Sequence, residues 1–261
     1  MYKVVLVDDE PIIVEGLARS VPWQQWDCEV VATANDGLEG KAMIETYAPD
    51  IIFMDICMPE LDGLSMIAAI KSQYPDMQIC ILTGFRDFEY ARDAIRLGVT
   101  RFLLKPSNME EIEEAIQTMC ENRKKKKSDG RETLQKEKNG VDTEGEHSPG
   151  SFIVKNALTY IRENYQKRLT LSEVAEKTYV SQWHLSKLLN GHTGQSFSEI
   201  LNHVRIEEAK KLLENPALRI GDISESVGFL DLAHFSRVFK KQEKLSANEY
   251  RNQVLTKAEG Q

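Results

Sequence analysis

Residues 4–11, which read VVLVDDEP, give the first and clearest indication of the fold. Four apolar residues in a row indicate a buried strand, and acidic residues followed by proline are typical of a helix start. The same order, a short apolar run and then an amphipathic stretch, recurs outward from this segment through the first half of the chain. This alternation predicts a parallel sheet that is covered by helices on both faces.

Five strands and five helices follow this pattern. The strands are predicted at residues 2–7, 29–32, 50–54, 78–82 and 101–104. The helices are predicted near residues 11–20, 37–47, 63–73, 86–97 and 108–122. Residues 1–122 are therefore expected to form an α/β domain with a five-stranded parallel sheet.

Length and composition are those of a globular protein with two domains. The chain has 261 residues, of which 41% are hydrophobic and 28% are charged, and one domain takes roughly 100–200 residues. No apolar run approaches the roughly 18 residues of a membrane span, so no membrane insertion is expected, and no signal peptide is evident. The four cysteines are scattered, which predicts reduced packing residues in a cytoplasmic protein.

Charge is distributed unevenly along the chain. The net charge is −13 over residues 1–122, +2 over residues 123–150 and +3 over residues 151–261. An acidic half and a mildly basic half suggest separate partners, so the overall charge of −8 does not exclude nucleic acid. Residues 123–150 contain few apolar side chains and are predicted to be a linker, and residues 256–261 a tail.

The carboxyl ends of the predicted strands carry a set of polar residues. Strand one is followed by Asp8 and Asp9, strand three by Asp55, strand four by Thr83 and strand five by Lys105. Because these ends meet at one edge of a parallel sheet, the three carboxylates are expected to lie close together. Crowded carboxylates usually bind a divalent cation, and Mg²⁺ fits best. A carboxylate beside such a cation can attack a phosphoryl group and form an aspartyl-phosphate.

At these residues the sequence resembles the receiver domain of bacterial two-component response regulators, over residues 1–122. The matching stretches are residues 4–11, 49–59 with 62–63, 82–84 and 102–106. The resemblance implies a flavodoxin-like, doubly wound fold, a sensor histidine kinase as partner and Mg²⁺ as cofactor.

The resemblance also implies a role for each residue of the acidic set. Asp55 is expected to accept the phosphate from a kinase phosphohistidine. Asp9 and Asp55 are expected to ligate Mg²⁺ directly, together with the main-chain carbonyl of Cys57, while Asp8 contributes through water.

Three further residues match the parts of a receiver that respond to phosphate. Lys105 would pair with the phosphate, and its bond to Pro106 is expected to be cis. The resemblance implies that the hydroxyl of Thr83 moves toward the phosphate and that the ring of Phe102 turns inward.

The second half contains an internal repeat of helical pattern. HLSKLL at residues 184–189 corresponds to HFSRVF at residues 234–239, with an offset of 50. Upstream of these segments the offset is 49, so the turn of the second copy has gained one residue. Each copy is expected to form a helix, a short turn and a second helix, and an amphipathic run at residues 197–213 joins the two copies.

Each copy leaves a mostly polar set of residues outward on its second helix. In the first copy these are Gln182, Trp183, Ser186, Lys187 and Asn190, and in the second they are Asp231, Leu232, Arg237, Lys240 and Lys241. Basic and amide side chains on a helix suit the major groove of DNA, although a solvated helix face has the same pattern. Gly191 is expected to end the first of these helices early.

Residues 151–255 resemble the AraC-type DNA-binding domain, which has two helix-turn-helix units. The similarity lies in residues 169–197, 205–213 and 227–251, with Lys244 and Ala247 in place of the glycine and proline that are usual there. The resemblance implies that each recognition helix enters a major groove of double-stranded DNA. A net charge of only +3 predicts modest affinity, so binding is expected to rely on a homodimer or on tandem sites.

Other interpretations remain open on the residues alone. A flavodoxin-type enzyme would need a phosphate-binding loop after strand one, and this loop is not present. A phosphatase of the aspartyl-phosphate type would need its nucleophile after strand one and a cap insertion, and neither is present. A ligand-sensing AraC-type regulator would need an effector pocket, and a receiver that never takes phosphate is disfavoured by the intact acidic set. The preferred interpretation is a non-enzymatic transcription factor whose receiver catalyses only its own phosphotransfer and slow dephosphorylation.

Overall fold

The computed structural model describes residues 1–58, 63–84, 88–129 and 148–259. The chain divides into two compact units, Met1–Ile153 and Val154–Gln261. Strands and helices alternate in the first unit, and all the described elements of the second unit are helices. The fold class predicted from the sequence is therefore confirmed.

The first unit is built on a five-stranded parallel sheet with the strand order β2-β1-β3-β4-β5. Its strands are β1 (Tyr2–Val7), β2 (Cys28–Ala34), β3 (Ile51–Met54), β4 (Gln78–Thr83) and β5 (Arg101–Leu104). All residues of β3 and β4 are buried, because helices cover both faces of the sheet. Val7 of β1 lies beside Met54 of β3, which places the residues that follow these two strands next to each other.

The helices of this unit are close to the predicted segments. They are α1 (Pro11–Ser20), α2 (Gly37–Tyr47), α3 (Gly63–Gln73), α4 (Phe88–Arg96) and α5 (Met109–Asp129). A 3₁₀-helix, Trp23–Trp26, precedes β2 and had no clear signal in the sequence. It contributes to the core, since the ring of Trp23 packs edge-on against Phe53 of β3 with centroids 5.6 Å apart.

The last helix of the first unit extends into the predicted linker. Helix α5 continues to Asp129, seven residues beyond the expected end at residue 122. Arg123 holds this extension to the sheet because its guanidinium pairs with Asp50 and donates to the carbonyl of Asp76. Lysines at a helix C-terminus are also favoured by the helix dipole.

Several predicted features lie outside the described residues. They are residues 130–147 of the linker, residues 260–261 of the tail, the start of the predicted helix at residues 86–87, and residues 59 and 62 of the receiver-like stretches.

The described elements of the second half form the predicted repeat. The helices are α6 (Pro149–Asn164), α7 (Leu171–Lys177), α8 (Gln182–Thr193), α9 (Phe197–Leu213), α10 (Ile220–Ser226), α11 (Leu232–Glu243) and α12 (Ala247–Glu259). Two pairs, α7 with α8 and α10 with α11, are joined by α9 over the predicted residues. Ser196 forms a complete capping box with Glu199 at the start of α9.

An aromatic series forms the core of the second helix pair. The rings of Phe229, Phe235, Phe239 and Tyr250 follow one another with centroids 5.3, 5.5 and 5.7 Å apart. Phe235 and Phe239 are fully buried on α11, so the opposite face of that helix is the one left to solvent. This burial fixes which residues of α11 are available to a partner.

The ends of the two exposed helices correct one prediction. Helix α8 does not end at Gly191 but continues to Thr193, and the left-handed residue that caps it is Gly194, with φ of 69°. Nothing lies near the position of a Cβ at Gly191, and glycine alone does not stop a helix when the following residues continue it. At the equivalent end of α11 the left-handed residue is Lys244, with φ of 64°.

Candidate functional site

Three carboxylates converge at the carboxyl edge of the sheet. Asp8 and Asp9 follow β1 and Asp55 follows β3, and their carboxylate oxygens lie within 4.8 Å of one another. Asp8 and Asp55 are buried, with 3% and 5% of their surfaces exposed, whereas Asp9 is exposed. The cluster is therefore held in the protein on one side and is open to solvent on the other.

The ammonium group of Lys105 lies among these carboxylates. Lys105 follows β5, and its main-chain N–H donates to the carbonyl of Thr83 at 2.8 Å. Its Nζ is 2.7 Å from Oδ2 of Asp8 and 2.9 Å from Oδ2 of Asp55. It also lies 3.0 Å from Oε1 of Glu10, a contact that the sequence analysis did not identify. The Lys105–Pro106 peptide bond is cis, as the resemblance implied.

Asp55 accepts hydrogen bonds that favour its ionised form. The main-chain N–H of Cys57 donates to its Oδ1 at 2.9 Å, Lys105 donates to its Oδ2, and the side chain of Thr83 is a further partner. Burial raises the pKa of Asp55, but these hydrogen bonds outweigh burial and the pKa lies below its ordinary value. Asp55 is therefore a carboxylate, and a potential nucleophile, at neutral pH.

Asp8 responds differently to the same surroundings. Burial raises its pKa above the ordinary value, and the hydrogen bonds from Lys105 and from the main-chain N–H of Glu10 only partly oppose this. Burial also acts to lower the pKa of Lys105, but its hydrogen bonds to Asp8, Asp55 and Glu10 raise it overall. The ammonium of Lys105 thus stays charged and offsets part of the negative charge of the cluster.

The donor set fits Mg²⁺. Hard carboxylate oxygens are the ligands that this ion prefers, and it usually retains several waters and binds through one or two carboxylates. Asp55 and Asp8 supply buried oxygens, while the exposed Asp9 leaves the solvent side open for water or for phosphate oxygens. Cys57 is exposed and adjacent, and its carbonyl as a further ligand stays a prediction.

The two predicted switch residues lie on neighbouring strands. Thr83 ends β4 and is fully buried, and Phe102 in β5 is partly buried beside Ile81 of β4. The hydrogen bond between Thr83 and Asp55 connects β4 to the acidic cluster. The movement of either side chain stays a prediction.

Helix α8 exposes all five residues that the sequence predicted for the first DNA contact. They are Gln182, Trp183, Ser186, Lys187 and Asn190. The side chain of Trp183 is 72% exposed, and the ammonium of Lys187 lies 5.5 Å from its ring centroid. The buried residues Leu185 and Leu189 hold the opposite face of the helix against the unit. An exposed aromatic ring beside a cation is suited to contact with bases and phosphates.

Helix α11 presents a more basic surface. All five predicted residues are exposed, namely Asp231, Leu232, Arg237, Lys240 and Lys241. Asp231 caps the helix, and its carboxylate accepts the main-chain N–H groups of residues 233 and 234. Because Asp231 serves as a cap, base contact is better suited to Arg237 and Lys240, which lie further along the helix.

A buried arginine that the sequence analysis missed holds the second unit together. Arg205 on α9 has 9% of its surface exposed, and it donates to the carbonyls of Tyr165 and Lys167, both at 2.8 Å. Its guanidinium also lies 5.5 Å from the ring of Phe229. Gly228 packs against this arrangement with φ of 90°, and a Cβ there would lie 2.7 Å from two carbonyl oxygens. The sequence signal was an arginine within an otherwise amphipathic helix, which is easily taken for a surface residue.

Comparison with known proteins matches both halves of the chain. Residues 4–117 match the response regulator receiver domain, and residues 174–253 match a helix-turn-helix domain. An uncharacterized response regulatory protein of Staphylococcus epidermidis is 30% identical over 97% of this chain and 99% of its own length. The transcriptional regulatory protein HptR of Staphylococcus aureus is 28% identical over 97% of this chain and its whole length.

A solved structure is also similar to the first half. The receiver domain of AraT, a response regulator from Geobacillus stearothermophilus, is 35% identical, with a TM-score of 0.46, over 48% of this chain and 98% of its own length. Within the part of the chain that the structure describes, no helix combines the length and the apolar character needed to cross a membrane.

Proposed function

The chain belongs to the response regulators that join a receiver domain to an AraC-type DNA-binding domain, and on this premise we propose that phosphorylation of Asp55 controls its binding to DNA. The observation that carries the proposal is the convergence of three carboxylates and one ammonium around Asp55. No other described group of acidic side chains has this arrangement with a buried, ionised carboxylate at its centre.

Asp55 is the proposed phosphoacceptor. One of its carboxylate oxygens attacks the phosphorus of a phosphohistidine on a sensor histidine kinase, or of a small phosphodonor. The O–P bond forms, the bond from phosphorus to the histidine nitrogen or to the donor's leaving group breaks, and Asp55 becomes an acyl phosphate. The main-chain N–H of Cys57 and the side chain of Thr83 hold the carboxylate in position. A bound Mg²⁺, held by Asp8, Asp9 and Asp55, would neutralise charge on the phosphoryl oxygens.

Lys105 and Thr83 are the proposed groups that respond to the product. The ammonium of Lys105 is already 2.9 Å from Asp55, so only a short movement would let it pair with a phosphate there. Thr83 would follow the phosphate with its hydroxyl, and the neighbouring Phe102 would turn inward. These shifts would favour one of two conformational states of the receiver. In this way the charge added at Asp55 would change the surface that the receiver presents to a partner.

The helical unit is the proposed reader of DNA. Exposed Lys187, Arg237 and Lys240 would contact two successive major grooves of a duplex, with Trp183 beside the first. Since the net charge of this half is only +3, a homodimer or tandem sites would supply the remaining affinity. We assign the protein to the cytoplasm, where DNA and the kinase domain of its partner histidine kinase are found. The only reactions that the chain would catalyse are phosphotransfer to its own Asp55 and the slow dephosphorylation of that residue.

The phosphorylation step is tested with the full chain, Mg²⁺ and a small phosphodonor. The native chain should gain the mass of one phosphoryl group, and Asp55→Asn should gain none. Asp27→Asn is a matched control, because Asp27 lies just before β2 at the opposite edge of the sheet and has φ of 56°, which asparagine tolerates. If the native chain gains no mass, the receiver acts through protein contacts without phosphate and the proposal fails.

The DNA step is tested by footprinting on genomic fragments with and without the phosphodonor. Protection should cover two neighbouring major grooves and should change in extent or affinity on phosphorylation. Asp55→Asn should keep the footprint of the unphosphorylated chain under both conditions. An unchanged footprint after confirmed phosphorylation would separate the two activities and would refute the control mechanism.

A further inference from the structure

Two buried cysteines that are far apart in the sequence lie in contact in the first unit. Cys28 begins β2 and Cys120 belongs to α5, and their sulfur atoms are 3.6 Å apart. Both side chains are buried, with 0% and 4% of their surfaces exposed. Both thiols also face the main-chain carbonyl of Trp26, at 3.4 and 3.7 Å. The proposed phosphorylation chemistry uses neither sulfur.

The other two cysteines lack such a neighbour. Cys57 is exposed, and Cys80 is buried in β4 with its sulfur 3.8 Å from the carbonyl of Ile81. In the contacting pair, the hydrogen bond between the two thiols lowers the pKa of Cys120 and raises the pKa of Cys28. The contact therefore places a second thiol within reach of the first, as an attacking sulfur and a resolving sulfur require.

A cavity lies beside Cys28, one member of this pair. It has a volume of about 500 Å³ and is lined by Cys28 together with Val21, Pro22, Trp23 and Val30. A small hydroperoxide is only slightly larger than water, which occupies about 30 Å³ in the liquid. The cavity can thus hold such an oxidant next to Cys28, whose sulfur contacts that of Cys120.

We propose that Cys28 and Cys120 form a reversible disulfide when the protein meets a small hydroperoxide. One sulfur of the pair, as the thiolate, attacks one peroxide oxygen; an S–O bond forms, the O–O bond breaks, and the leaving oxygen takes a proton to give water or an alcohol. The other sulfur loses its proton and attacks the resulting sulfenic acid; the S–S bond forms, the S–O bond breaks, and water leaves. Two electrons pass from the sulfur pair to the peroxide, and a dithiol reverses the reaction.

The disulfide would restrain helix α5. It would connect residues 92 positions apart and would tie α5 to the start of β2, at the edge of the sheet opposite Asp55. A cross-link over so long a loop restricts the unfolded chain strongly, so the oxidised receiver should unfold at a higher temperature. Because α5 is the last helix of the receiver, the restraint acts on the C-terminal end of that domain. This inference does not depend on phosphorylation of Asp55.

The test is peroxide treatment of the full native chain, followed by alkylation in denaturant and peptide mapping by mass spectrometry. The expected result is a cross-linked peptide pair containing Cys28 and Cys120, an intact mass lower by two hydrogen atoms, and a fall in titratable thiols from four to two. Dithiothreitol should restore all four thiols. The midpoint of thermal unfolding should rise by several degrees on oxidation and return on reduction.

Controls within the chain make the result specific. Cys80→Ser should keep the cross-link, because its sulfur has no thiol partner, whereas Cys28→Ser and Cys120→Ser should each lose it. The native chain decides the question even if a variant fails to fold. Four alkylatable thiols after peroxide treatment of folded protein would overturn the proposal, as would a disulfide found only between exposed Cys57 residues of two molecules. A thermal midpoint that does not rise would overturn the restraint of α5.

Discussion

Replacing Lys105 by methionine should change two properties of the acidic cluster in opposite directions. The ammonium of Lys105 lies 2.7 Å from Asp8 and 2.9 Å from Asp55, the carboxylates proposed to bind Mg²⁺. A cation that enters the cluster has to displace this ammonium or share the oxygens with it. Lys105→Met should therefore bind Mg²⁺ more tightly than the native chain, and yet accept phosphate more slowly.

The size of the first effect follows from the charges. Opposite unit charges about 4 Å apart attract by about 4 kcal/mol at an effective dielectric constant of about 20. Dehydration of the ammonium offsets much of this attraction, since the side chain of Lys105 is only 14% exposed. A net effect of about 1–2 kcal/mol remains, which is a gain of about 5–30-fold in Mg²⁺ affinity. Loss of one donor to the transferring phosphoryl group should slow phosphorylation about 10²–10³-fold.

Calorimetric titration with Mg²⁺ and the rate of mass gain with a small phosphodonor measure the two effects separately. Lys41→Met is a matched control, because Lys41 is paired with Glu45 on the surface of α2. It should change neither quantity. Weaker or unchanged Mg²⁺ binding in Lys105→Met would refute the reasoning, since the ammonium would then not compete with the metal.

Four further outcomes are expected. Arg205→Met should destabilise the helical unit by about 3–5 kcal/mol in urea unfolding, because two carbonyls lose a charged donor, and a loss below 1 kcal/mol would contradict this. Lys244→Gly should stabilise the same unit by about 1 kcal/mol, since the native residue has a positive φ; a destabilised variant would contradict the strain. Arg237→Met should relax base preference at one position at a cost of about 1–3 kcal/mol in binding, while Lys241→Met should weaken binding to all sequences and reduce the salt slope by about one. In EDTA, the unfolding free energy of the receiver should decrease as the pH is lowered below about 4. The pKa of Asp55 is lower in the folded state, so its contribution to stability is complete at pH values above the ordinary pKa and is lost as the pH falls through the folded-state pKa. Asp55→Asn should show a smaller decrease in unfolding free energy over the same pH range.

The main elements of the fold could be predicted from local patterns. Strands β1 and β5 and helices α1, α2 and α3 have the bounds that the apolar periodicity indicated, and α9 joins the two helix pairs over residues 197–213 as expected. These features depend on residues within a few positions of one another, so a single sequence contains them. The extension of α5 to Asp129 could not be read in this way, because Arg123 stabilises it through contacts with residues 47 and 73 positions away.

The acidic cluster follows from the order of residues along the chain, because residues that directly follow parallel strands must meet at one edge of the sheet. Asp8, Asp9, Asp55 and Lys105 were all placed there by that rule. Other contacts depend on how elements that are distant in the sequence pack together. The contact of Cys28 with Cys120 and the bonds of Arg205 span 92 and about 40 residues. No local period records such distances, since they are set by how separate elements pack.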